Sequence, residues 1–249
     1  CSPLPRKAEI KQNIERKEVS KAEFDEFVEA IPAGMKFDYI IFDACFMAQT
    51  EIVMQLKNKV DYIIAAPSEM PIKGFPYNQI NLMCNATTEE QYIQLCEAYH
   101  HFYTETEPTG HTISLIKTSG IDKIADSFKQ IIEASSDEAL ELLPIDRVQN
   151  FDGQQFCFDY VTTCFDLEDL ASTLLTINYD EDIPNKEELL ETLRRDIKSA
   201  IKYEAHSNAL DFGTYVKINK CCGITTYWPN YKVPYANNYY YNYDWCEAS

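Results

Sequence analysis

Two residues that can do chemistry, Asp43 and Cys45, lie within the run Tyr39–Ala48, two positions apart and directly after its apolar start. The run predicts a buried strand, and because side chains alternate along a strand, both residues should point the same way. In open α/β sheets, ligands bind at the carboxyl ends of strands. The pair therefore indicates a cysteine nucleophile beside an acid that binds a basic substrate side chain. The alternative is that Cys45 is a buried structural thiol, which is common for free cysteine.

The neighbouring segments predict the elements that position this pair. Strand Tyr39–Phe42, helix Met47–Leu56 and strand Tyr62–Ala66 indicate a right-handed crossover between parallel strands. This crossover would place the loop 68–74 beside Asp43 at one edge of the sheet. A slot walled by Asp43 and this loop would bind Arg or Lys, and Arg could bind in a bidentate manner.

Simpler roles remain open for these pocket residues. Asp43 could be a capping or turn carboxylate at the strand end. Ser68 and Glu69 begin the predicted loop, and Glu69 could equally be a plain loop residue, a pocket wall or a calcium ligand.

Helical and extended patterns alternate along the chain, which predicts an α/β fold. The tail from Tyr235 to Tyr243 is rich in tyrosine; such a tail could bind a sugar or peptide, but packing over a sheet edge is the commoner use of these side chains. The predicted helices are Lys21–Ala30, Glu89–Tyr103, Asp122–Ser135, Leu167–Leu175 and Glu187–Glu204, the extended segments are Thr112–Ile116 and Phe156–Thr163, and a closing hairpin joins Tyr215–Ile218 to Ile224–Trp228.

Several segments resemble the clostripain family of cysteine peptidases. The strongest are Phe37–Ala48, with its Asp-Ala-Cys-Phe-Met core, and Gly74–Tyr77, which reads Gly-Phe-Pro-Tyr. The other matching segments are Glu51–Leu56, Asp61–Glu69, Thr112–Ile116, Phe165–Leu170 and Gly223–Pro229.

The resemblance implies a fold and a reaction. The fold is a caspase-like three-layer α/β sandwich, with a mostly parallel sheet flanked by helices and its N-terminal part absent from this chain. Cys45 would be the nucleophile of an endopeptidase that cleaves after Arg or Lys, and Asp43, Ser68 and Glu69 would line the pocket for that residue. Residues 1–110 would be the C-terminal part of the catalytic core, and residues 111–249 would complete or extend it.

The histidines depart from the family pattern, in which a His-Gly dipeptide upstream of the cysteine supplies the base. No His-Gly occurs, and only 44 residues precede Cys45. The resemblance implies cleavage into a light chain that bears the histidine and a heavy chain that bears the cysteine, and this chain has the layout of the heavy chain. We therefore expect a histidine-bearing N-terminal segment or light chain as its partner. A truncated gene or a relative that has lost its base would look the same. We expect structural roles for the four histidines, which are His100 and His101 on a helix, His111 at a strand start and His206 near the end of the long helix.

Composition limits the other functions. At 249 residues and 45% hydrophobic content, the chain can bury a sizeable core. Its net charge of -18 argues against nucleic-acid binding and suits cationic substrates, although solubility alone would explain it. The chain contains no run of 18 apolar residues, so the sequence predicts no membrane span.

Nine cysteines occur without a Cys-x-x-Cys pair, and no metal-binding spacing or EF-hand is present. The resemblance alone implies calcium. It also implies export, to the cell envelope or beyond. In that case Cys84–Cys96 or Cys157–Cys164 would be the candidate disulfides. Cys1 followed by Ser2 fits the start of a mature bacterial lipoprotein, and an arbitrary chain start fits equally well.

Three hypotheses follow. The first is the heavy chain of a cysteine endopeptidase specific for Arg or Lys. The second is an inactive relative that binds basic peptides. The third is a different thiol enzyme, such as a transferase, that uses Cys45 with a downstream base.

Overall fold

The computed structural model describes residues 24, 26–106, 109–151, 164–177, 183–213, 215–228 and 244–249. In chain order the strands are β1 (Phe37–Ile41), β2 (Val60–Ala65), β3 (Thr112–Lys117), β4 (Cys164–Asp166), β5 (Ile201–His206), β6 (Ala209–Asp211), β7 (Tyr215–Lys217) and β8 (Thr225–Tyr227). The helices are α1 (Thr50–Leu56), α2 (Ile80–Asn85), α3 (Glu89–Thr106), α4 (Ile121–Ala134), α5 (Asp137–Glu141), α6 (Leu167–Thr176), α7 (Lys186–Ala200) and α8 (Asp244–Ala248).

The central sheet has four strands in the order β1-β2-β3-β5. Strands β1 and β2 are parallel and are connected through α1, as the crossover predicts. Strand β3 pairs antiparallel with both β2 and β5, so the described part of the sheet is mixed. Two smaller antiparallel pairs, β4 with β8 and β6 with β7, lie outside this sheet.

Both faces of the sheet are covered by helices. Ile63 and Ala65 of β2 belong to one apolar cluster, which also contains buried side chains of α1, α4, α6 and α7. Ile64, between them, belongs to a second cluster with the apolar stripe of α3. Alternate residues of one strand thus enter two cores, as strand geometry requires. The predicted α/β sandwich with flanking helices is confirmed.

The predicted helix Glu187–Glu204 is wrong in its last turn. Helix α7 ends at Ala200, and residues 201–206 form strand β5. Ile197 and Ile201 are spaced as on one helix face, which favours continuing the helix. Backbone pairing with β3 across the sheet prevails instead. His206 therefore ends a strand rather than lying near the end of a helix.

The predicted closing hairpin is also wrong. Strand β7 pairs with β6, and β8 pairs with β4. Strand β8 pairs with a segment about 60 residues away in sequence, which periodicity does not reveal, whereas β7 pairs with the short strand β6, from which only three residues separate it.

Some predictions concern residues outside the described part. Residues 26–30 are helical, whereas the predicted start at Lys21 lies outside it, as do Phe156–Thr163 and the tyrosine-rich tail. Cys84 and Cys96 are free thiols and form no disulfide with each other. Cys157 is not described, so its pairing with Cys164 stays a prediction, as does the division at residue 110. Among the described helices, none is long and apolar enough to cross a membrane.

Candidate active site

Cys45 lies in an exposed turn at the carboxyl end of β1. Asp43 and Cys45 are both exposed, so Cys45 is not the buried thiol of the alternative interpretation. Backbone bonds fix the turn on both sides: Phe42 N–H donates to Ile64 O at 2.9 Å, and Phe46 N–H donates to Ser68 O at 2.9 Å. Phe46 has a φ of +59°, a left-handed conformation that is uncommon for a bulky residue. The turn that presents the cysteine is therefore a sharp one.

One loop, residues 68–77, contacts both predicted site residues. The backbone N–H of Met70 donates to Cys45 Sγ at 3.2 Å. Asp43 accepts from Phe75 N–H at 2.9 Å through Oδ1 and from the Tyr77 hydroxyl at 2.7 Å through Oδ2. The structure thus brings the thiol and the carboxylate to the same loop, as the predicted crossover requires.

Gly74 lets this loop approach the carboxylate. Its φ is +68°, and a Cβ added there would lie 2.5 Å from Asp43 Oδ2 and 2.7 Å from Oδ1. Only glycine combines this conformation with so close an approach. From the other side, the Tyr103 hydroxyl of α3 donates to Gly74 O, and the Tyr103 ring packs on Tyr99 with centroids 4.7 Å apart. Helix α3 therefore supports the loop from the core.

Ser68 and Glu69 occupy the start of this loop. Ser68 is buried, and its Oγ lies 2.7 Å from Thr112 Oγ1 and 2.8 Å from the carbonyl oxygen of Glu69. These contacts tie the loop to β3. Glu69 is half-buried. Contact of either residue with a substrate stays a prediction.

Two tyrosines beside the pair are held in the protonated form. The hydrogen bond to Asp43 raises the pKa of Tyr77. Burial raises the pKa of Tyr99, and the electrostatic effect of the neighbouring Tyr103 and Asp43 adds to this shift. The buried Tyr99 hydroxyl has no hydrogen-bond partner within the described residues. Both phenols therefore remain hydrogen-bond donors at neutral pH.

Three of the four histidines lie together, with partners other than Cys45. His100 Nδ1 is 2.7 Å from His111 Nε2, and His111 is buried with its ring centroid 5.9 Å from that of Tyr99. Burial lowers the pKa of His111 to about 4, with further contributions from His100 and His206. In the described part of the chain, no hydrogen bond joins a histidine to Cys45 Sγ. The downstream-base hypothesis therefore gains no support.

The described residues do not fit a side-chain calcium site. They contain no group of three or more His, Cys, Asp or Glu side chains that could hold a metal ion. Calcium stays an expectation from the resemblance.

Sequence reasoning missed the residues that organise the pair. These are Phe75, Tyr77 and Tyr103, which act through one backbone N–H group and two hydroxyls, whereas Met70 lies within the predicted loop 68–74. A signal was present in Gly74–Tyr77, where glycine and proline together mark a sharp turn. The loop predicted to line the pocket ends at Gly74, three residues before Tyr77.

A model of the clostripain family matches residues 15–248 of this chain. The chain belongs to the clostripain family. No curated protein matches it.

Solved structures similar to this clostripain-family chain share its fold. An inactive zymogen C11 protease from Parabacteroides distasonis is 24% identical with a TM-score of 0.76, over 91% of this chain and 62% of that one. A clostripain from Bacteroides thetaiotaomicron in complex with the peptide inhibitor BTN-VLTK-AOMK is 24% identical with a TM-score of 0.74, over 90% and 93%. A secreted C11 cysteine protease from the same organism, iotapain, is 24% identical with a TM-score of 0.71, over 87% and 56%. At these identities the likeness shows the fold alone, and the chain spans 62% of the zymogen chain.

Proposed function

We propose that this chain carries the nucleophile and the specificity pocket of a cysteine endopeptidase that cleaves after Arg or Lys. One observation carries the proposal: the loop 68–77 contacts both the exposed thiol of Cys45 and the exposed carboxylate of Asp43. A substrate whose basic side chain binds Asp43 would then extend its backbone past Cys45.

The proposed reaction is acyl transfer through a thioester. The Cys45 thiolate attacks the carbonyl carbon of the scissile bond, the C–N bond breaks, and the amine leaves with a proton from a general acid. Water then hydrolyses the thioester and regenerates the thiol. Asp43 takes no part in bond breaking; it binds the guanidinium or ammonium group of the preceding residue through charge-assisted hydrogen bonds.

The proposed base is a histidine from a further N-terminal segment or light chain. Two observations support this partner. Within the described residues, β1 pairs on one edge only, and its first residue, Phe37, and the nearby Met35 are 40% and 47% exposed. In addition, this chain covers 62% of the zymogen chain but 93% of the inhibited clostripain chain. A segment that added a strand at β1 would cover the open edge and reach the same end of the sheet as Cys45.

A second candidate function is a binding module for basic peptides. The observation that favours it is the environment of Cys45, whose described hydrogen bond comes from Met70 N–H and not from an imidazole. In this case Asp43 would still bind a cation, while Cys45 would remain unreactive.

Location and calcium complete the proposal. We propose export to the cell envelope or beyond, supported by the similar solved protease described as secreted. A lipid-modified Cys1 remains one form of this proposal. A calcium requirement is tested by repeating the experiments below with calcium added or chelated.

Covalent labelling tests the proposed nucleophile. A peptidyl acyloxymethyl ketone that ends in arginine alkylates a thiolate, forming a thioether as the carboxylate leaves. We expect one label per chain in intact-mass measurement, lost in Cys45→Ala. Cys84→Ala is the matched control, because Cys84 is another exposed free cysteine. Labelling that persists in Cys45→Ala would contradict the assignment of the nucleophile.

Peptide hydrolysis separates the two candidate functions. If the chain is a heavy chain, co-expression with the coding sequence upstream of Cys1 should give cleavage after Arg or Lys that Cys45→Ala abolishes. Binding of basic peptides without cleavage in the co-expressed protein would favour the binding module.

A further inference from the structure

The carboxylate of the proposed pocket already accepts a hydrogen bond from a phenol. The Tyr77 hydroxyl donates to Asp43 Oδ2 at 2.7 Å, while Tyr77 itself remains 55% exposed. We propose that Tyr77 is a second specificity residue, which binds the basic substrate side chain together with Asp43 and favours Lys over Arg. This inference rests on the proposed function and adds a residue to its pocket.

The phenol oxygen of Tyr77 can itself accept a hydrogen bond beside the Asp43 carboxylate. A tyrosine hydroxyl has one proton, and here that proton is directed to Asp43. Its lone pairs accept no further hydrogen bond among the described residues. A cation that approaches Asp43 from solvent therefore meets two oxygens, the carboxylate and the phenol that is polarised by it.

The hydrogen bonds already made by Asp43 favour an ammonium over a guanidinium. Oδ1 accepts from Phe75 N–H and Oδ2 accepts from Tyr77, so each carboxylate oxygen has one lone pair engaged. One lone pair remains on each oxygen, and the planar fork of arginine needs both of these at once and leaves the Tyr77 oxygen unused. The compact ammonium of lysine can instead donate one proton to Asp43 and another to the Tyr77 oxygen.

Tyr77 is held in place by the loop rather than by its own burial. Gly74 packs directly on the carboxylate and Tyr103 donates to Gly74 O, so the residues before Tyr77 are fixed. A short 3-10 turn, Tyr77–Gln79, follows. The raised pKa of Tyr77 keeps the proton on the phenol, which maintains its bond to Asp43. Removing the hydroxyl should therefore change the pocket without displacing Asp43.

Equilibrium binding of matched peptides tests this inference. The full chain with Cys45→Ala is titrated with peptides that differ only in a final lysine, arginine or norleucine amide, and calorimetry measures the dissociation constant of each. In Tyr77→Phe, we expect the lysine peptide to bind about tenfold more weakly, because a hydrogen bond to a charged group contributes about that much to affinity. The affinity of the arginine peptide should change by less than about threefold. Tyr62→Phe is the matched control, because Tyr62 donates to Glu89 at 2.8 Å near the opposite end of β2.

The outcomes separate this inference from the proposed function. Equal weakening of both basic peptides would assign Tyr77 a merely structural role, and no change in either would remove it from the pocket. Both results would overturn the inference and leave the basic-residue pocket intact. If the unsubstituted pocket does not distinguish lysine or arginine from norleucine, the proposed function fails, and the role of Tyr77 fails with it.

Discussion

Two aspartates at strand ends make similar hydrogen bonds in opposite surroundings. Asp43, after β1, accepts from Phe75 N–H and the Tyr77 hydroxyl, and it is exposed. Asp166, the last residue of β4, accepts from Asp169 N–H at 2.9 Å and Cys222 N–H at 2.7 Å, and it is 1% exposed. Both carboxylates are oriented by fixed donors, but only one is accessible to a ligand.

The comparison teaches that burial, rather than hydrogen bonding, separates a structural carboxylate from a candidate binding carboxylate. Asp166 caps α6 and ties it to residue 222, and burial raises its pKa to about 6. The donors around Asp43 fix its direction and leave one side open. A carboxylate of this kind is arranged before a ligand arrives, which lowers the ordering cost of binding.

The largest expected effect is on folding, at the buried aspartate. Asp166→Ala leaves the N–H groups of Asp169 and Cys222 without their acceptor and removes the cap of α6. We expect a loss of about 4 kcal/mol in the free energy of unfolding, since each buried unsatisfied donor costs about 1–3 kcal/mol. Urea denaturation at about pH 5 measures it. A loss below about 1 kcal/mol would mean that water replaces the carboxylate and that burial does not separate the two aspartates.

The pH dependence of stability should also distinguish the buried aspartate. Its pKa rises from 3.8 to about 6 on folding, mainly through burial, so the native state binds its proton more tightly. Its contribution to stability is fully present below pH 3.8 and is lost as the pH rises through about 6. The full change is about 3 kcal/mol.

The measurement is the difference between the unsubstituted chain and Asp166→Ala across this pH range. The difference is needed because His111, whose pKa falls to about 4, contributes with the opposite sign. An identical pH profile in both proteins would contradict the raised pKa of Asp166.

Substitution of the exposed aspartate, Asp43, should weaken peptide binding rather than stability. Asp43→Asn keeps the shape of the side chain and removes its charge. We expect about hundredfold weaker binding of peptides that end in Lys or Arg, because a charge-assisted hydrogen bond is worth about 1.5–3 kcal/mol. The free energy of unfolding should change by less than about 1 kcal/mol. The reverse pattern, lost stability with unchanged binding, would make Asp43 the turn carboxylate of the simpler interpretation.

The sequence predicts the position of the exposed pair Asp43 and Cys45 well because that position follows from local pattern. The apolar run before Asp43 fixes a strand, and the strand end places Asp43 and Cys45 in one exposed turn; because β1 ends at Ile41, the alternation of strand side chains does not extend to them. Helices α3, α4 and α6 are likewise predicted nearly to their ends, since each carries its own amphipathic pattern.

The features that the sequence does not predict depend on contacts between distant segments. Residues 201–206 continue the helical spacing of α7 and become a strand only because β3 offers an edge. Tyr77 meets Asp43 across 34 positions, through a loop whose path depends on Gly74 and on Tyr103 of α3. Such a contact has no periodic signature, so a Gly-Phe-Pro-Tyr motif shows a turn but not which residue the tyrosine reaches.

The smallest expected effect sharpens the comparison by moving Asp43 without changing it. In Gly74→Ala the new Cβ would lie 2.5 Å from Asp43 Oδ2, so the loop or the carboxylate must shift, and the φ of +68° adds strain. Gly34→Ala is the matched control, because its φ is +82° and nothing lies within 4 Å of the added atom. Both substitutions should cost about 1 kcal/mol of stability, but only Gly74→Ala should also weaken basic-peptide binding, by about tenfold. Equal binding in the two variants would mean that the loop yields freely, and that the donors around Asp43 do not fix the carboxylate before a ligand arrives.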